Sequence, residues 1–107
     1  MAFSKKDIIN AKNNSLSLQD IKEPISVVDT HVELNKEVEI VKGQPMICNV
    51  TYLKGKDGKI YCTVSDSVCD SVDDINDLIS DEGECVVQAV KRKTKDGTRD
   101  FISLQVL

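Results

Sequence analysis

Twice in its second half the chain repeats one arrangement: an alternating apolar segment, the tripeptide Lys-Asp-Gly, and a second alternating segment. The first copy, Lys56-Asp57-Gly58, separates "MICNVTYL" from "KIYCTVSDS". The second, Lys95-Asp96-Gly97, lies inside "ECVVQAVKRKTKDGTRDFISLQVL". Alternation at a period of two makes a strand with one buried face. Asp-Gly is a favoured pair for a type I′ hairpin turn. Two antiparallel hairpins are therefore the fixed points of the fold. Three shared residues are convergent turn chemistry and do not establish a duplication.

A two-residue loop at each Asp-Gly sets the register, and register sets the faces. In the first hairpin Lys56 then pairs with Lys59, Lys54 with Tyr61, and Tyr52 with Thr63. These six share an outer face, while Thr51, Leu53, Ile60, Cys62 and Val64 face the core. In the second hairpin Thr94 pairs with Arg99, Arg92 with Phe101, Val90 with Ser103, and Gln88 with Gln105. Its inner face holds Val87, Ala89, Ile102, Leu104 and Val106. Lys91, Lys93 and Lys95 add charge near that tip, on the other side. Three of the four aromatic residues (Tyr52, Tyr61 and Phe101) are thus expected to point outward beside basic groups. Burying a ring would gain roughly 2 kcal/mol. Forgoing that gain three times points to a ligand for the rings.

A basic sheet face studded with rings suits single-stranded nucleic acid, because bases stack on rings while Lys and Arg follow the phosphates. The expected stacking residues are Tyr52, Tyr61 and Phe101. The expected phosphate contacts are Lys54, Lys56, Lys59, Arg92 and Arg99. The net charge of −4 does not oppose this. Eight acids and no Lys or Arg fall between residues 60 and 90, so the rest of the chain carries a surplus of +4. A polyanion meets that local field and not the total.

The remaining segments frame the hairpins. With 107 residues and no Trp, the chain makes one domain with an aliphatic core. Residues 1–24 read as a partly ordered arm in which Ser4 and Asp7 can cap a short helix. Residues 25–107 form the domain. "ISVVDTHVEL" reads as a half-buried strand, Asn35-Lys36 as a turn, and "EVEIV" as a further strand; a single long bent strand is the other possibility. "DSVDDINDLISDEGE" reads as a short helix over 72–80, with Ser71 as N-cap, Asp73 and Asp74 in the first turn, and Gly83 as the stop.

This gives a mostly β chain: a five-stranded OB-like Greek-key barrel with one short helix between the third and fourth strands. The pattern resembles the small OB-fold single-stranded-DNA-binding proteins of bacteriophages and mobile elements. The resemblance covers about residues 25–107 and rests on "TYLKGKDGKIYCTV", "VDDINDLI" and "VVQAVKRKTKDGTRDFISLQVL". It implies that Tyr52, Lys54, Tyr61, Arg92, Arg99 and Phe101 hold the strand, in DNA replication or recombination. Within these 107 residues there is no Gly/Pro-rich acidic tail, so tail-dependent recruitment is not expected.

No catalytic constellation stands out: there is no Gly-rich phosphate loop and no HExxH. The chain is read as a non-enzyme needing no cofactor. Cys48, Cys62, Cys69 and Cys85 lack the close pairing of a zinc site, and Asp29 with His31 reads as a surface pair. No apolar run is long enough for a membrane helix, and no secretory leader is visible, so a cytoplasmic location is expected. Replication or recombination proteins, and further copies of the chain, are compatible additional partners. One alternative stays open. A small acidic module with a charged helix can instead bind a basic host protein as an inhibitor or mimic DNA.

Overall fold

The computed structural model describes residues 4–95, 97 and 100–107, and only the backbone of Lys12, Gln19, Glu39, Ile40 and Val41. The chain runs α1 (Lys5–Asn14), β1 (Leu16–Ser17), a 3-10 turn (Leu18–Asp20), β2 (Ile25–Val41) and β3 (Gln44–Gly55). It continues with β4 (Ile60–Thr63), α2 (Asp66–Glu82), β5 (Cys85–Lys93) and β6 (Asp100–Val106). The strands form one sheet in the order β1-β4-β3-β2-β5-β6. All neighbours are antiparallel except β1 and β4.

The curl of the sheet comes from β2. This 17-residue strand pairs with β3 along most of its length but with β5 only at Ile25–Val27. It therefore belongs to two ladders at once, and the sheet closes into a half-barrel. Asn35-Lys36 does not turn the chain. Asn35 adopts a left-handed φ of 55° inside a break in the β2–β3 register, and its N–H donates to Asn49 Oδ1 at 3.1 Å. Asn tolerates this conformation, so the strand bulges and continues.

The expected plan of five strands and one short helix differs in detail. Among the described residues there are six strands and two α-helices. The added strand, β1, has two residues, too few to show an alternation. α2 starts six residues before the expected position, with Ser65 as N-cap. Its apolar stripe begins at Val68, which is fully buried with Val72 and Ile75 beneath the helix. Ser71 is not the cap. Its hydroxyl donates to the Ser67 carbonyl one turn back, a common resting place for serine inside a helix. Gly83 ends the helix at φ 84°, donating its N–H to the Ile79 carbonyl at 2.7 Å.

The two faces of the sheet carry separate apolar clusters. The inner one joins Leu18, Ile25, Val27, Leu53, Tyr61, Val68, Ile75, Cys85, Val87 and Ile102, with α2 sealing it. Complete burial of each aliphatic member contributes about 1.5–3 kcal/mol. The outer one joins Ala11, Val50, Tyr52 and Ile60, with α1 lying over it. Ser4 and Asp7 form the expected capping box at the start of α1.

Candidate nucleic-acid interface

The first hairpin departs from expectation by one residue. Gly55 N–H donates to the Lys59 carbonyl at 2.8 Å, and Gly58 N–H donates to the Gly55 carbonyl at 3.0 Å. Gly58 has φ 88°. This is a three-residue loop, a tight turn followed by a left-handed glycine, and not the two-residue type. The Asp57 carboxylate fixes it by accepting from Lys59 N–H at 3.0 Å. Across the ladder Tyr52 therefore meets Cys62, Leu53 meets Tyr61, and Lys54 meets Ile60.

The consequence is a correction to the two tyrosines. They do not share an outer face; they lie on opposite faces, and both are buried. Tyr61 is 6% exposed in the inner cluster. Tyr52 is 8% exposed beneath α1. Burial pushes both phenols above their ordinary pKa, aided at Tyr52 by Glu33 and at Tyr61 by Asp57. The His31 ring lies against Tyr52 with centroids 6.0 Å apart and planes inclined by 27°.

Two lysines of this hairpin have acidic neighbours. Lys54 Nζ sits 3.0 Å from Asp7 Oδ2 of α1. This contact, with the Ser4 N–H next, holds the Asp7 carboxyl below the usual carboxylate range. Lys56 Nζ lies 3.5 Å from Glu84, which also accepts from the Ser26 hydroxyl at 2.6 Å. Those two neighbours, Ser26 first, lower the pKa of Glu84. Lys59 is exposed at the hairpin shoulder.

The second hairpin keeps the expected register. Arg92 meets Phe101, Val90 meets Ser103, and Gln88 meets Gln105. On the inner side Val87 and Ile102 are buried, and Ala89 and Leu104 pack against the core. Val106 differs, being half exposed at the strand end. Arg92 is exposed and Phe101 half buried, and the two stand opposite each other across the ladder. Lys91, Lys93 and Lys95 are exposed around the same tip. Arg99 lies outside the described residues, as does Asp96 in the turn. Nearby, Ile21, Lys22, Gln88, Lys91, Ile102 and Gln105 border a cleft of about 520 Å³. Of the eight expected site residues, the structure brings together Arg92 and Phe101. It separates Tyr52 from Tyr61 and gives Lys54 and Lys56 acidic neighbours.

Lys22, at the border of that cleft, is a basic residue that its polar setting two positions before Pro24 does not single out in the sequence. Sequence reasoning missed His31 as a ring partner, because only the register of β2 against β3 sets it beside Tyr52. The acids of α2 face away from the core: Asp66, Asp70, Asp73, Asp74, Asp77, Asp81 and Glu82 are exposed. Among the described residues no group of three or more His, Cys, Asp or Glu is placed to hold a metal ion, and the cysteines are free thiols. No described helix is long and apolar enough to cross a membrane.

A family model described as phage single-stranded DNA-binding protein matches residues 3–107. The chain belongs to that family. No curated protein and no solved structure gives a significant match. Membership in the phage single-stranded DNA-binding family brings with it DNA binding, a single-stranded partner and a bacteriophage setting. It accords with a mostly β, half-barrel chain whose second hairpin is basic and carries a half-buried ring.

Proposed function

We propose that this protein is a non-catalytic, sequence-tolerant binder of single-stranded DNA, acting in phage replication or recombination in the host cytoplasm. The strand order of β2 to β6, with two ladders sharing β2, supports an OB-like Greek-key reading of the half-barrel. In that reading the β5–β6 hairpin holds the strand. Phe101 supplies the stacking surface, Arg92 and Arg99 meet phosphates, and Lys91, Lys93 and Lys95 extend the positive field along the strand. Lys56 and Lys59 flank the path at the other hairpin. The observation that carries this reading is the Arg92–Phe101 cross-strand pair on an exposed, basic hairpin.

Sequence tolerance follows from the chemistry, since every base has a face that a ring can stack on. The test is fluorescence anisotropy with labelled poly-dT between about 50 and 200 mM salt, where phosphate-dominated binding weakens steeply. Arg92→Ala together with Phe101→Ala should reduce affinity in a variant that keeps the parent fold. Unchanged affinity removes this hairpin from the interface. A DNA mimic would show no oligonucleotide binding at any salt concentration.

A further inference from the structure

The outer face of the sheet holds what a strand-binding surface requires, yet it is covered. Tyr52, Val50 and Ile60 are 8–9% exposed, and the residues of α1 lying over them are Ala11, itself 1% exposed, and the half-buried Ile8. Lys54 stands on the same face opposite Ile60, and His31 lies against Tyr52 from the neighbouring strand. The group that meets Lys54 is the Asp7 carboxylate, at 3.0 Å, an oxygen anion where a phosphate oxygen would sit.

The cover is lightly attached. α1 has ten residues, "KKDIINAKNN", and three of them are apolar. Of these, Ile9 is 57% exposed and faces away. A helix this short is marginal in water without tertiary support. The attachment is also separable from the main core. Leu18, four residues beyond the end of α1, is fully buried in the inner cluster. Ala11 belongs to the outer cluster. Displacement of α1 about residues 14–17 would open the outer cluster and leave the inner one intact.

We propose that α1 is a displaceable cover over a second single-stranded DNA site on the outer face of β2, β3 and β4. In this site Tyr52 and His31 offer rings to bases, and Lys54 exchanges the Asp7 carboxylate for a phosphate. The inference rests on the single-stranded DNA reading given above. It gives Tyr52 and Lys54 a role that depends on movement of α1 and not on the resting exposure of either residue. Apparent affinity then equals intrinsic affinity reduced by the fraction of molecules with α1 displaced.

The test uses the full chain and an oligo-dT of about a dozen nucleotides. Hydrogen exchange at the α1 amides is followed with and without saturating oligonucleotide, and anisotropy gives the affinity of Asp7→Asn. Loss of α1 protection on binding, with several-fold tighter binding by Asp7→Asn that Lys54→Ala reverses, supports the cover. Binding by the parent with α1 protection unchanged or increased overturns it and leaves the proposed function standing. Failure of the parent to bind oligo-dT at low salt overturns both.

Discussion

Tyr61 stands opposite Leu53 across the β3–β4 ladder, and both side chains enter the inner cluster. Tyr61 is therefore a stability residue. Truncating a large buried ring typically costs about 3–5 kcal/mol. Tyr61→Ala is expected to lower the urea midpoint accordingly, while Tyr61→Phe, which keeps the ring, retains most of the stability. In the phenylalanine variant the affinity for oligo-dT should match the parent.

The β5–β6 hairpin is expected to behave oppositely. Lys91→Ala, Lys93→Ala and Lys95→Ala combined should leave the urea midpoint nearly unchanged, because all three are exposed. Each phosphate that a single strand no longer shares with a lysine flattens the log–log salt dependence by about 0.7. The slope of the triple variant should therefore be shallower by about 2, read by anisotropy across a salt series. Phe101→Ala should weaken binding by about 1–3 kcal/mol with no change in that slope.

Asp7 makes the seating of α1 sensitive to acid. Its folded-state pKa lies below the ordinary 3.8, first because of Lys54 and then because of Ser4. A lowered carboxyl pKa contributes stability that is present above the ordinary value and lost as pH falls through the folded value. Protection of the α1 amides should hold from neutral pH down to about pH 4 and decline below it. Asp7→Asn should remove that acid-dependent step, which nuclear magnetic resonance resolves residue by residue.

Thr51 is fully buried, and its hydroxyl has no hydrogen-bond partner among the described residues. An unsatisfied buried polar atom costs about 1–3 kcal/mol. Thr51→Val replaces it with a methyl of similar shape and should raise the unfolding free energy by about 1 kcal/mol. A lower urea midpoint would show that the hydroxyl is satisfied in solution.

How legible these features are in the sequence depends on the contrast between faces. In "VVQAV…FISLQV" one face (Val87, Ala89, Ile102, Leu104, Val106) is wholly apolar while the other is interrupted by Gln88, Ser103 and Gln105, so the alternation itself fixes the register of β5 with β6. "IYCT" offers no such contrast: Ile60, Tyr61 and Cys62 suit either side, and the choice falls to loop length. The same Lys-Asp-Gly tripeptide suggests a two-residue loop where three residues are used. The periodicity of α2 reveals the helix but not its start, because Ser65, Ser67 and Ser71 are chemically equivalent candidate caps. The burial of Val68 decides among them, and that is a tertiary fact. The role of α1 is hidden for a similar reason, since a helix with three apolar residues shows its partner only once β3 and β4 are assembled.

The three-residue loop at 56–58 sets which side of β4 each residue occupies. It does so through its closing pair, Gly55 with Lys59. A loop closed by Lys56 and Lys59 instead would exchange the two sides, sending Ile60 and Cys62 inward and Tyr61 out against α1. Changes of loop length that keep Gly55 opposite Lys59 should therefore be tolerated, while a shift of the closing pair by one residue should unmake both apolar clusters.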